Sequence, residues 1–223
     1  MLMSVLVEVW GDYASFNRPE MKVERVSYDV MTPSAARGIL DAIYWHPGMR
    51  WNVDKIYVIN PIEFSNIRRN EVKSKVSASN VRSVMNGGGG TLCIATSEDI
   101  QQRAAMVLRN VRYVIEAHFE LVRENMTPSD SEGKFCDIMR RRLEKGQCYH
   151  QPCFGCREFP ASFSAWQGGE IITAYPGEEK DLGFMLYDMD YSDPENILPM
   201  FFHAKLENGV MNVPRRDSGE VYR

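Results

Sequence analysis

The stretch Arg112-Tyr113-Val114-Ile115-Glu116-Ala117-His118-Phe119-Glu120-Leu121 alternates strictly, with Tyr113, Ile115, Ala117, Phe119 and Leu121 on one side and Arg112, Glu116, His118 and Glu120 on the other. A period of two predicts a strand with one buried face, set within a longer strand from about Met106 to Val122. The opposite face then presents an imidazole. Its ordinary pKa of about 6.5 lets it change charge near neutral pH, so His118 suits general acid/base chemistry as well as the plainer role of a solvated side chain.

Upstream, Ser4 to Trp10 alternates around Val5, Val7 and Val9 and predicts a first strand that breaks into a turn at Gly11-Asp12. After a loop to about Met31, Thr32-Pro33 supplies an N-cap and a first-turn proline. Ala36, Ile39, Leu40 and Ile43 follow at helical spacing until Pro47-Gly48, which leaves Tyr44 and His46 at the helix end. Asn52 to Ile62 reads as a second strand. Downstream, Gly133 to Lys145 predicts a helix with Phe135, Ile138, Met139 and Leu143 as its stripe, and Tyr149 to Phe159 reads as a further strand.

The order strand, helix, strand, strand, helix, strand predicts an α+β fold: a ferredoxin-like (RRM-like) antiparallel sheet with helices on one face. The other face is free for a ligand, and RNA-binding domains of this topology use it. This domain is expected over residues 1–159, with a basic hairpin inserted at about 64–91. Residues 160–223 change to a turn-rich β texture, with Gly183 to Tyr191 as one strand and Phe201 to Pro214 as a hairpin turning at Asn208-Gly209. They predict a small C-terminal antiparallel β subdomain.

The 223 residues, 44% hydrophobic and 25% charged, suffice for a real core. No run of about 18 apolar residues is present and the start carries no basic flank, so no membrane association and a cytoplasmic location are expected. The five cysteines, Cys93, Cys136, Cys148, Cys153 and Cys156, are an odd count and read as reduced thiols, with Cys148, Cys153 and Cys156 expected to be buried and free. Cys153-x2-Cys156 near Cys148 and His150 offers metal-ligand types, but one such pair without a second does not make a zinc site, and no metal is expected.

A net charge of −4 excludes indiscriminate coating of nucleic acid. The positive charge is clustered, however. Arg68, Arg69, Lys73, Lys75 and Arg82 stand against Glu71 alone between Phe64 and Asn86, followed by Gly87 to Gly90 as a flexible tip; Arg140, Arg141 and Arg142 form a second cluster. The first cluster suits a hairpin that grips phosphates and equally a solvated loop. Tyr13, Phe16 and Trp45 are candidates for base stacking or for packing.

Four pieces, Val9 to Phe16 with Arg18-Pro19-Glu20, Tyr28 to Pro47 containing Ile43-Tyr44-Trp45, Ile115 to Phe119, and Gly155 to Ala161, occur in an order that resembles the Cas-five-d endoribonucleases of type I-C CRISPR systems. These belong to the repeat-associated RNA-binding superfamily. The resemblance implies metal-independent cleavage of CRISPR repeat RNA through 2′-OH attack, without a cofactor. It implies retention on the crRNA 5′ handle inside the Cascade surveillance complex, with the backbone and large subunits as partners. The alternative is a structural subunit that binds the handle without cutting.

The resemblance maps a catalytic tyrosine and histidine onto Tyr44 and His118. The family's lysine has no counterpart, because Glu116 and Ala117 precede His118; either a lysine or arginine from elsewhere, such as Arg112, Lys73 or Lys75, supplies that charge, or the match at this pair is out of register. Arg68, Arg69, Lys73, Lys75, Arg82, Arg112 and Trp45 are expected to bind the RNA. Target DNA presents the same phosphates and is an alternative ligand of the basic segment.

Overall fold

The computed structural model describes residues 4–21, 24–90 and 92–223. Met1 to Met3, which precede the expected first strand, and Thr91, at the end of the expected hairpin, lie outside the described residues. The fold is α+β, built on one large, predominantly antiparallel sheet with three α-helices among the described residues. Its spine is β5 (Ile100–Leu121), a strand of 22 residues. β1 (Val5–Ala14) pairs antiparallel with β5 on one side and β3 (Met49–Val58) pairs antiparallel on the other. β6 (Ser162–Ala165) adds to the far edge of β1, and the short β2 (Arg25–Val26) runs parallel to the first half of β5.

α1 (Pro33–Ile43) starts where expected, with the Thr32 hydroxyl accepting from the Ala35 amide. α3 (Glu132–Lys145) is capped by Ser131 and ends on Gly146 at φ 62°, a left-handed cap open to glycine. Phe119 packs edge-on against Trp51 of β3 and Phe135 of α3, and Tyr113, Ile115 and Ala117 are buried with it. The opposite face is not wholly open. Val114, between Arg112 and Glu116, is fully buried too.

Several local readings are corrected. Gly11-Asp12 is no turn, since β1 runs through it; a β-carbon at Gly11 would come within 2.9 Å of the Phe154 ring, so this glycine permits close packing. Tyr149 to Phe159 is not a strand. Its chain coils through Gly155, at φ 79°, and makes a single bridge from Cys153 to Pro160 while sinking Phe154 into the core. The edge position goes to β6 instead. Cys148, Cys153 and Cys156 are only partly buried, because the coiled segment that carries them lies at the surface, whereas Cys136 is buried.

β4 (Phe64–Val72) pairs with the first half of β5, so the basic segment does form a hairpin, and α2 (Ala78–Met85) lies in its connection. The glycine run follows α2 rather than forming a bare turn between strands. At the other end, β7 (Glu179–Asp190) pairs with β8 (Leu198–Glu207), and β9 (Val210–Asn212) follows a turn at Asn208-Gly209. β10 (Val221–Tyr222) pairs with β8. The sheet crosses the expected division at residue 159: β6 bonds to β1, and β9 bonds to the free edge of β3. Among the described residues no helix is long and apolar enough to cross a membrane.

Candidate active site

His118 stands opposite Asn52 of β3, on the sheet face away from the helices. The β3 register slips between Val53 and Lys55, and this bulge turns Asp54 toward the imidazole. The Asp54 carboxylate lies 2.9 and 2.8 Å from Nδ1 of His118 through its two oxygens. A carboxylate only accepts, so Nδ1 donates its proton to Asp54 and Nε2 is the nitrogen left to exchange one. His118 is 17% exposed, which shelters it without sealing it.

A cavity of about 440 Å³ opens at this pair. Its floor is Asn52, Asp54, His118 and Glu120, and the chain from Val213 to Asp217 forms a wall. That wall is tied to the bulge: the Val213 amide donates to the Asp54 carbonyl at 2.9 Å. A second cavity of about 410 Å³ shares Arg50, Asn52, Tyr187 and Arg216 with the first, so the two form one groove. Arg50, Arg215, Arg216 and Arg223 line it together with the carboxylates of Asp54, Glu120 and Asp217, four positive charges against three negative. A hydrogen bond from Arg50 at 2.9 Å holds the Glu120 carboxyl below the usual range.

The structure does not bring Tyr44 to this groove. Tyr44 caps α1 on the helix side, its ring 6.3 Å from that of Phe135, with the Arg142 guanidinium 5.0 Å above it. Burial pushes its phenol above the ordinary range. Arg142 also donates to the Ile43 carbonyl, so the charge of the second basic cluster is partly spent on the helix end. Trp45, the next residue, is 58% exposed.

The basic residues divide as well. Arg68, Lys73, Lys75 and Arg82 of the hairpin are exposed and have no ion-pair partner among the described residues. Arg69 pairs with Glu158 and stacks over Phe159, and Arg112 donates to Glu8 at 2.6 Å. Tyr13 and Phe16 are respectively 40% and 3% exposed, so Phe16 belongs to the core. On the His118 face, Glu116 accepts from the Tyr57 hydroxyl at 2.6 Å and pairs with Lys55 at 3.3 Å; burial first, and then the Glu116 carboxylate, raise the Tyr57 phenol.

Asp54, Asn52 and the arginines after Pro214 were missed in the sequence. The one available signal was Arg215-Arg216 directly after Val213-Pro214, a basic pair following a strand.

A family model described as CRISPR-associated protein (Cas_Cas5) matches residues 4–214, and the chain belongs to that family, in its Cas5d branch. Over its full length it is 46% identical to the whole of a protein from Mannheimia succiniciproducens named CRISPR pre-crRNA endoribonuclease Cas5d. A protein of the same name from Thermus thermophilus is 39% identical, over 97% of this chain and 94% of its own. Among solved structures, one described as a CRISPR-associated protein superposes with a TM-score of 0.72 at 25% identity, covering 99% of this chain and 97% of the other. A functionally uncharacterized protein from Streptococcus mutans shares the fold, with a TM-score of 0.70 at 23% identity over 99% of this chain and 97% of its own.

Proposed function

We propose that this chain cuts CRISPR repeat RNA at the His118–Asp54 groove by a metal-independent route and stays on the 5′ handle as a type I-C Cascade subunit. The observation that carries the reading is the sheltered imidazole, fixed by a carboxylate on one nitrogen, in a groove that four arginines line. Cleavage of this kind forms a bond from the ribose 2′ oxygen to phosphorus and breaks the bond to the 5′ oxygen, leaving a 2′,3′-cyclic phosphate and a 5′-hydroxyl. One group removes the 2′ proton and another protonates the leaving oxygen; an imidazole serves either step. Family membership and the names of two relatives support the substrate.

The spatial order β6-β1-β5-β3, with α1 between β1 and β3 and α3 between β5 and β6, supports reading the central sheet as ferredoxin-like. Arg68, Lys73, Lys75, Arg82 and the exposed Trp45 are proposed to hold RNA outside the groove.

The test is single-turnover cleavage of an end-labelled repeat RNA in EDTA. Wild type should make one cut, a 2′-deoxy sugar at that position should abolish it, and His118→Ala should slow it by about 10²-fold or more while binding persists. A loss of the same size in Tyr44→Phe would show that its hydroxyl reaches the scissile site in the complex. Tight binding without a cut would instead favour the structural handle-binding subunit.

A further inference from the structure

We propose that Arg215 binds the scissile phosphate and stabilises the charge that builds on it during cleavage; the assignment rests on the reading of the His118 groove as a nuclease site. When the 2′ oxygen attacks, phosphorus becomes five-coordinate and its two non-bridging oxygens gain negative charge before the bond to the 5′ oxygen breaks. The proton of the 2′-OH leaves to a base and the 5′ oxygen receives one, so no further reactant is consumed. His118 and Asp54 manage protons. Neither offsets the charge on the phosphorane, and a cation aimed at those oxygens acts where charge develops.

Four arginines line the cavity, and their partners separate them. Arg50 is held by Glu120 at 2.9 Å. Arg216 and Arg223 are both held by Asp190, at 2.8 and 3.4 Å. Arg215 has no side-chain ion pair or hydrogen bond among the described residues, and its side chain is exposed beside the cavity mouth. Of the acids there, Asp54 is engaged by His118 and Glu120 by Arg50, which leaves Asp217, two residues along the wall, as the unengaged carboxylate.

Position completes the case. The backbone around Arg215 is held by the Val213 amide on the Asp54 carbonyl and by the Ser218 amide on the Arg215 carbonyl, and the next side chain, Arg216, is held by Asp190. The guanidinium is thus carried on the wall of the cavity whose floor holds the imidazole, while its own donors stay unspent. Two of them in a planar fork match two oxygens of one phosphate.

The experiment compares wild type, Arg215→Ala, Arg215→Lys and His118→Ala on repeat RNA. Cleavage is read in single turnover at saturating protein, and affinity on the uncleavable 2′-deoxy RNA. Arg215→Ala is expected to slow cleavage by about 10²-fold with its affinity within about 3-fold of wild type and its melting unchanged. Arg215→Lys should recover part of the rate, and the pH–rate profile should keep its shape because arginine does not titrate in that range. Arg215→Ala cutting at the wild-type rate, or losing rate only as it loses affinity, overturns the assignment alone. Wild type that binds the repeat and leaves it whole overturns the nuclease reading and the assignment with it.

Discussion

Asp54 does its work through one nitrogen. By accepting from Nδ1 it fixes both the tautomer and the plane of the His118 ring. Asparagine there is nearly the same size but presents an amide that can donate, so the ring is free to place its proton on Nε2 instead. Asp54→Asn is therefore expected to reduce single-turnover cleavage by about 10²-fold, with RNA affinity within a few-fold of wild type, as measured on the 2′-deoxy substrate. The imidazole itself was legible in the sequence, because alternation around it is strict. Its partner was not: Asp54 reaches His118 only through a bulge, and a bulge is a property of two paired strands that neither strand's sequence displays.

The β4–β5 hairpin is the element whose charge stands most free. With Arg68, Lys73, Lys75 and Arg82 changed together to alanine, the dependence of log affinity on log salt should become shallower by about 2 to 3, at about 0.7 for each phosphate no longer neutralised. Cleavage at saturating protein should stay within a few-fold. Arg69→Ala should leave the slope as it is, since Glu158 already neutralises it. Charge counting found this hairpin but could not sort its members, because sorting depends on Glu158, 89 positions away in the chain. Tyr149 to Phe159 failed for a different reason. Its apolar residues serve a coiled turn that buries Phe154, and spacing alone does not separate that from a short strand.

For the molecule as a whole, that coiled turn ties β1 to the segment that leads into β6. The Ser15 amide donates to the Phe154 carbonyl at 3.0 Å, and Gly155, at φ 79°, comes so close that a β-carbon would collide with the Ser15 carbonyl. Gly155→Ala combines a left-handed backbone with that collision and is expected to cost about 3 kcal/mol or more, lowering the melting midpoint by about 6 to 12 °C. Calorimetry checks this, and an unchanged midpoint would mean that the turn yields without loss.

β5 also fixes a distance. From Ala104, opposite Arg68 in the hairpin, to His118 the strand advances 14 residues, a span of roughly 48 Å at most, with Asn110 between them at a left-handed φ of 50°. One continuous strand joins the basic hairpin to the His118 face, so the backbone acts as a ruler between them. Two added residues would lengthen it by about 7 Å and preserve every side chain's face, whereas one would turn His118 inward. On the proposed roles of hairpin and imidazole, how far along an RNA the cut falls from the point where it is held is set by the length of a strand.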